Sequence, residues 1–156
     1  MSKVLQFQNR HRLKLAKGVK GHISMRKAET FRSVLTMDEY DAEIILACLK
    51  YRTETELKSS CEEEMNQWRA GQEECKRIIA RIEKHLELSQ ETGEAGIDII
   101  ITLEERNTLI NSLENMQDLA EEDDWNIGFQ LDLNTIHASQ WQTYTQWQAK
   151  VLKKKN

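Results

Sequence analysis

From Thr55 to about Leu88 the chain contains no proline and one glycine, Gly71. Across that stretch Cys61, Met65, Trp68, Gln72, Cys75, Ile79, Ile82 and Leu86 recur at alternating steps of four and three. This is the a/d pattern of a coiled-coil-like helix. At 1.5 Å of rise per residue such a helix is roughly 50 Å long. Helical stability in proteins comes mostly from packing an apolar face, so this helix needs a partner surface, from its own chain or a second copy. Met65, Trp68, Ile79, Ile82 and Leu86 are accordingly candidate partner-interface residues. The seam is impure, since Gln72 and two cysteines lie in it. Gly71 costs about 1 kcal/mol relative to alanine, which points to a bend or a close approach.

The whole chain lacks proline, so nothing forbids further long helices. Thr36-Met37-Asp38-Glu39 reads as a capping box, followed by a helix with Tyr40, Ile44, Ala47, Cys48 and Tyr51 on one face. Thr53 to Glu56 reads as a second box that restarts the helix after a kink. Ile97, Ile99, Ile100 and Ile101 read as a short buried strand or an extended lead-in to the next helix. Thr102-Leu103-Glu104-Glu105 is a third box, and its helix runs to about Ala120 with Leu109, Ile110, Leu113 and Met116 inward. The acidic run Glu121 to Asp124 ends it. Ile127, Phe129, Leu131 and Leu133 alternate with Gly128, Gln130 and Asp132, which predicts a strand. Asn134 then caps a last helix to Leu152, with Ile136, Tyr144, Trp147 and Val151 inward. Ser24 to Leu35 fits a short helix with Ala28, Phe31 and Leu35 on one face. Residues 1–23 fit either a weak hairpin or an arm that orders on a partner. Leu35 to Glu39 resembles Ile101 to Glu105, which leaves open an internal repeat or independently acquired helix starts.

Charge divides the chain into three parts. Residues 1–35 hold nine Lys and Arg against Glu29, net +8. Residues 36–133 hold nine basic and 25 acidic residues, net −16. Residues 134–156 hold four lysines and no acid, net +4. The expected organisation is a basic N-terminal arm (1–35) with a short helix, an acidic mainly helical body (36–133) and a C-terminal helix with a basic tail (134–156). The fold class is mainly α: a long coiled-coil-like helix packed with two or three shorter helices, and a small β element from residues near 97–101 and 127–133. In the arm, Lys3, Arg10, Arg12, Lys14, Lys17, Lys20, Arg26 and Lys27 form a candidate phosphate-binding set for nucleic acid. The competing reading is docking on protein. Trp141 lies off the stripe of Tyr144, Trp147 and Val151, which marks it as a further interface candidate.

Catalytic motifs are missing. There is no phosphate-binding glycine loop, no dinucleotide turn and no nucleophile elbow. His11, His22, His85 and His137 stand far apart in sequence, without metal-ligand spacing. The acidic runs read as solvated faces rather than general acid/base pairs. Three scattered cysteines suggest a reducing, intracellular (cytoplasmic) setting rather than a disulfide framework. No apolar run approaches the roughly 18 residues a membrane span needs. The sequence therefore predicts a non-enzymatic interaction or assembly protein, a component or inhibitor of a larger complex, with no cofactor or small-molecule substrate. A small nucleic-acid-binding accessory protein is the alternative.

Overall fold

A computed structural model describes residues 32–93 and 96–154. The basic residues from Lys3 to Lys27, and residues 24–31 of the helix expected over 24–35, lie outside them. The element order is β1 (Arg32–Met37), α1 (Glu39–Glu54), α2 (Glu62–Thr92), β2 (Ile97–Thr102), α3 (Leu103–Glu122) and α4 (Ile127–Lys154). The mainly helical expectation holds, with one long helix of 31 residues packed against the others and a small sheet. The sheet has two antiparallel strands, in register from Arg32 opposite Thr102 to Met37 opposite Ile97. Strand residues alternate between faces, so Leu35, Met37, Ile97, Ile99 and Ile101 point into the core.

Several local expectations are corrected. Residues 32–35 are strand rather than the end of a helix. The pairing with β2 holds Thr36 and Met37 extended, so α1 starts later and its cap is Asp38 instead of Thr36. The Asp38 carboxylate accepts from the Asp41 amide at 2.7 Å. The second box starts nothing. Thr53 and Thr55 turn their hydroxyls back to the Lys50 and Tyr51 carbonyls at 2.8 and 2.6 Å, and Thr55 is extended as the C-cap of α1. An irregular segment then leads to Glu62, where three glutamates occupy the first turn of α2, as the helix dipole favours. The third box is realised in full: the Thr102 hydroxyl accepts from the Glu105 amide at 3.0 Å. The Glu105 carboxylate in turn accepts from the Thr102 amide at 2.9 Å.

The strand expected over 127–133 is helix, the first two turns of α4. Asn126 starts it, its side-chain oxygen accepting from the Phe129 amide at 3.2 Å. Asn134 sits inside the helix and accepts from Gln117 at 2.8 Å. The alternating pattern is only half used. Phe129, Leu133, Ile136, Gln140 and Tyr144 follow helical spacing and turn inward, whereas Ile127 and Leu131 are 73% and 60% exposed. β2 therefore finds its partner in β1, not in residues 127–133.

The seam of α2 is satisfied within the chain. α2 packs on α1, β2 and α3, with Trp68, Gly71, Cys75, Ile78 and Ile82 buried. Gly71 and Ile78 replace Gln72 and Ile79 as the innermost positions of their turns. Gln72 instead closes the end of α1, donating to the Arg52 and Thr55 carbonyls at 3.0 and 2.9 Å. Ile79 and Leu86 remain half-buried against the core. Fully burying an aliphatic side chain, as at Ile78 and Ile82, contributes about 1.5–3 kcal/mol each.

The order reads as two successive β–α–α units. The echo between Leu35–Glu39 and Ile101–Glu105 falls at the same strand-to-helix junction in both. The separation of Leu35 from Ile101 also sets Val34 from Ile100, and those two residues are direct cross-strand partners. A local twofold through that pair thus relates β1 to β2.

Gly71 explains itself by close approach. A Cβ there would overlap the buried Arg52 guanidinium. Helix propensity alone favours Gly71→Ala by about 1 kcal/mol. We expect instead a loss of about 1–3 kcal/mol from overpacking, read by urea denaturation. In an Arg52→Ala background the same change is expected to be neutral or stabilising. A stabilising Gly71→Ala in the native background would contradict the contact.

Candidate interaction surface

The residues singled out along the seam have different fates. Trp68 is 3% exposed and Ile82 is fully buried, so both belong to this chain's own core. The Trp68 indole donates to the Thr55 carbonyl at 2.9 Å and carries the Arg52 guanidinium 3.6 Å from its ring centre. Met65 is half-buried and lines a shallow groove with Leu57, Ser60, Arg69 and Gln72 between the 55–61 segment and α2. Trp141 is half-buried and stacks on buried Tyr144, ring centres 6.0 Å apart. The structure does not gather these six positions into one surface. They divide between core and rim.

Two arginines that sequence reasoning passed over lie inside the protein. Arg52, at the end of α1, donates to the Asn111 side chain at 2.7 Å and reaches the Trp68 carbonyl at 3.4 Å. Arg106, on α3, bonds Gln140 of α4, the Ser33 hydroxyl at 3.1 Å and the Val34 carbonyl at 3.0 Å. Burial pushes both guanidinium groups down to about 10, which leaves them charged at neutral pH. Their hydrogen-bond acceptors among the described residues are neutral. Glu74 lies within electrostatic reach of Arg52 and accepts from Thr108 at 2.8 Å. These groups stitch α1, α2, α3, α4 and β1 together. Hydrogen bonds to charged groups contribute about 1.5–3 kcal/mol each, and losing one partner leaves the buried charge unsatisfied.

The outward face of the sheet is a different environment. It carries Arg32, Val34 and Thr36 on β1 opposite Thr102, Ile100 and Asp98 on β2. Val34 and Ile100, direct partners at its centre, are 55% and 60% exposed. One carbonyl on the outer edge of each strand is occupied there. The Val34 carbonyl accepts from Arg106, and the Ile100 carbonyl accepts from Arg81 at 2.8 Å. Open edges invite strand addition and covered ones resist it. An exposed pair of β-branched residues on an edge-capped sheet thus offers its face, not its edge. The run Ile99-Ile100-Ile101 gives no sign from composition of which residue turns outward. Only the register supplies that.

Among the described residues no group of three or more His, Cys, Asp or Glu is arranged to hold a metal ion, and no helix is long and apolar enough to cross a membrane. Cys48 and Cys75 are buried and Cys61 is exposed, all three as free thiols. Burial pushes the Cys48 thiol up to about 12, far from a reactive thiolate. Comparison with protein-family models, with curated proteins and with solved structures returned no match.

The sheet is locked to α2 through Glu105. Its carboxylate takes the Arg81 guanidinium, one contact at 3.1 Å, while Arg81 also holds the β2 edge. Burial pushes the Glu105 carboxyl up, but Arg81 and the Thr102 amide outweigh it and hold the group below its ordinary 4.5. A depressed carboxyl contributes stability above its unfolded value and loses it as pH falls through the folded one. Glu74, raised chiefly by burial, contributes with the opposite sign. Glu105→Gln keeps a capping side chain but loses the charge. We expect it to cost about 1–3 kcal/mol at pH 7 and to flatten the fall in stability below pH 4.5, measured by urea titration at several pH values. An acid limb unchanged from the wild type would contradict the pairing.

Proposed function

We propose that this chain is a non-enzymatic interaction or assembly protein that meets its partner through the outer face of the β1–β2 sheet. The observation that carries this reading is the Val34–Ile100 pair, apolar and more than half exposed on a sheet whose edges are capped by arginine. Apolar surface left in water is costly, and a β-branched cross-strand pair is rigid before binding. That combination favours contact with another macromolecule. The seam suggested by the heptad spacing is spent on the chain's own core, so the contact moves from helix to sheet. A reducing intracellular compartment suits three free thiols. The nucleic-acid alternative draws on residues 1–31, outside the described structure, and is placed second because no described residue favours it.

The test is a photo-crosslinking residue at position 100, with position 91 on exposed α2 surface as control, in cells that make the full chain. We expect one defined adduct from position 100, none from position 91, and loss of the adduct on adding Val34→Glu. No adduct from position 100, or equal labelling at both positions, would contradict the reading.

A further inference from the structure

The outer sheet face is nearly self-complementary, and its occupant follows from that. Around the local twofold at Val34 and Ile100, Arg32 and Asp98 occupy equivalent positions, each two residues ahead of the apolar centre on its own strand. Thr36 and Thr102 occupy the other equivalent pair. The face therefore has a cation and an anion on one diagonal, threonines on the other and aliphatic side chains between. Arg32 and Asp98 are both exposed, and no described residue pairs with either. A second copy, turned about a twofold lying in the plane of contact, sets Arg32 of each copy across from Asp98 of the other, with Val34 and Ile100 enclosed between them.

We infer that this face associates with a second copy of the same chain to form an isologous dimer, resting on the reading of the sheet face as an interaction surface. The strand residues satisfy the twofold requirement that one patch complement itself, since the axis exchanges Arg32 with Asp98. Opposed charges at the rim fix orientation, and the aliphatic centre supplies the burial. Capped edges direct the second copy onto the face rather than into strand addition. Two strands of six residues, with strands about 4.8 Å apart and about 3.4 Å per residue, make a small contact. The dimer is accordingly weak and concentration-dependent, with a dissociation constant of about 10–1,000 μM, at the low end of specific interfaces.

The experiment uses purified full chain and sedimentation velocity over that concentration range. Wild type is expected to shift from monomer to dimer. Arg32→Asp alone places two acids opposite each other twice, and Asp98→Arg alone does the same with two cations. Each is expected to weaken self-association at least tenfold at low salt. Mixed one to one, the two variants present complementary charges at both contacts and are expected to form a heterodimer at least as tight as wild type. Both substitutions are at exposed positions, and circular dichroism of each variant is the check that the fold is retained. A wild type that stays monomeric near 1 mM, or a mixture that associates no better than its separate components, overturns the dimer. A monomeric wild type that still gives a position-100 adduct with another protein overturns only the second copy as occupant. An adduct within the same chain, onto residues 1–31, overturns it in favour of an internal occupant. Absence of any adduct removes the underlying reading as well.

Discussion

The burial of α3 on several sides at once organises this protein. α4, α1, α2 and β2 all pack against it, and Leu103, Leu109, Leu113 and Ala120 are essentially excluded from water. A helix enclosed in this way must begin at a fixed place and in a fixed rotation. The Thr102–Glu105 capping box supplies the start, and Glu105 extends the constraint to α2 by holding Arg81. Arg81 in turn caps the edge of β2. The end is fixed as well. Asp124 adopts φ of 52° and lets the Trp125 amide return to the Ala120 carbonyl at 3.0 Å. Aspartate tolerates that left-handed conformation better than most residues. α4 then folds back along α3.

The enclosed face of α3 is not uniformly apolar, and this is why the helices have a defined register. Arg106, Asn111, Ser112 and Asn115 are buried beside the leucines. Arg106 and Asn111 find partners on other helices, at Gln140 and Arg52, and losing them leaves buried polar groups unsatisfied, so sliding one helix against another is penalised more than in an all-leucine interface. Arg52 shows how tightly the arrangement is specified. Its guanidinium needs the Asn111 oxygen, the Trp68 ring and the space left by Gly71. Three helices meet at one side chain.

How much was legible in the sequence follows from how local each cause is. The span of α3 was readable because its cap, periodicity and acidic stop all lie within it. The long helix was readable for the same reason, although Gly71 and Ile78 rather than Gln72 and Ile79 lie innermost. β1 was hidden. Its partner lies far along the chain, and in the sequence Leu35 continues a helical spacing from Ala28 and Phe31. The start of α4 was misread because Ile127 and Leu131 complete an alternating pattern while facing solvent. The outer sheet face was not legible at all, since three consecutive isoleucines give no hint that Ile100 alone turns outward. Nor were the buried arginines, because an arginine in a sequence is by default a surface residue.

The long helix packs within its own chain, and the sheet face with Val34 and Ile100 is an outward-looking apolar surface left open for association. The Lys50–Glu83 ion pair at 3.0 Å joins α1 to α2 and is half exposed, so a carbodiimide can convert it into an amide bond without any substitution. A one-to-one mixture of unlabelled and nitrogen-15 protein, refolded together, treated in this way and digested, gives a crosslinked peptide whose two halves report their origin. Both halves are expected to carry the same label. Mixed-label peptides in statistical proportion would mean that α1 and α2 pair between chains, and would return the helical seam to the interface.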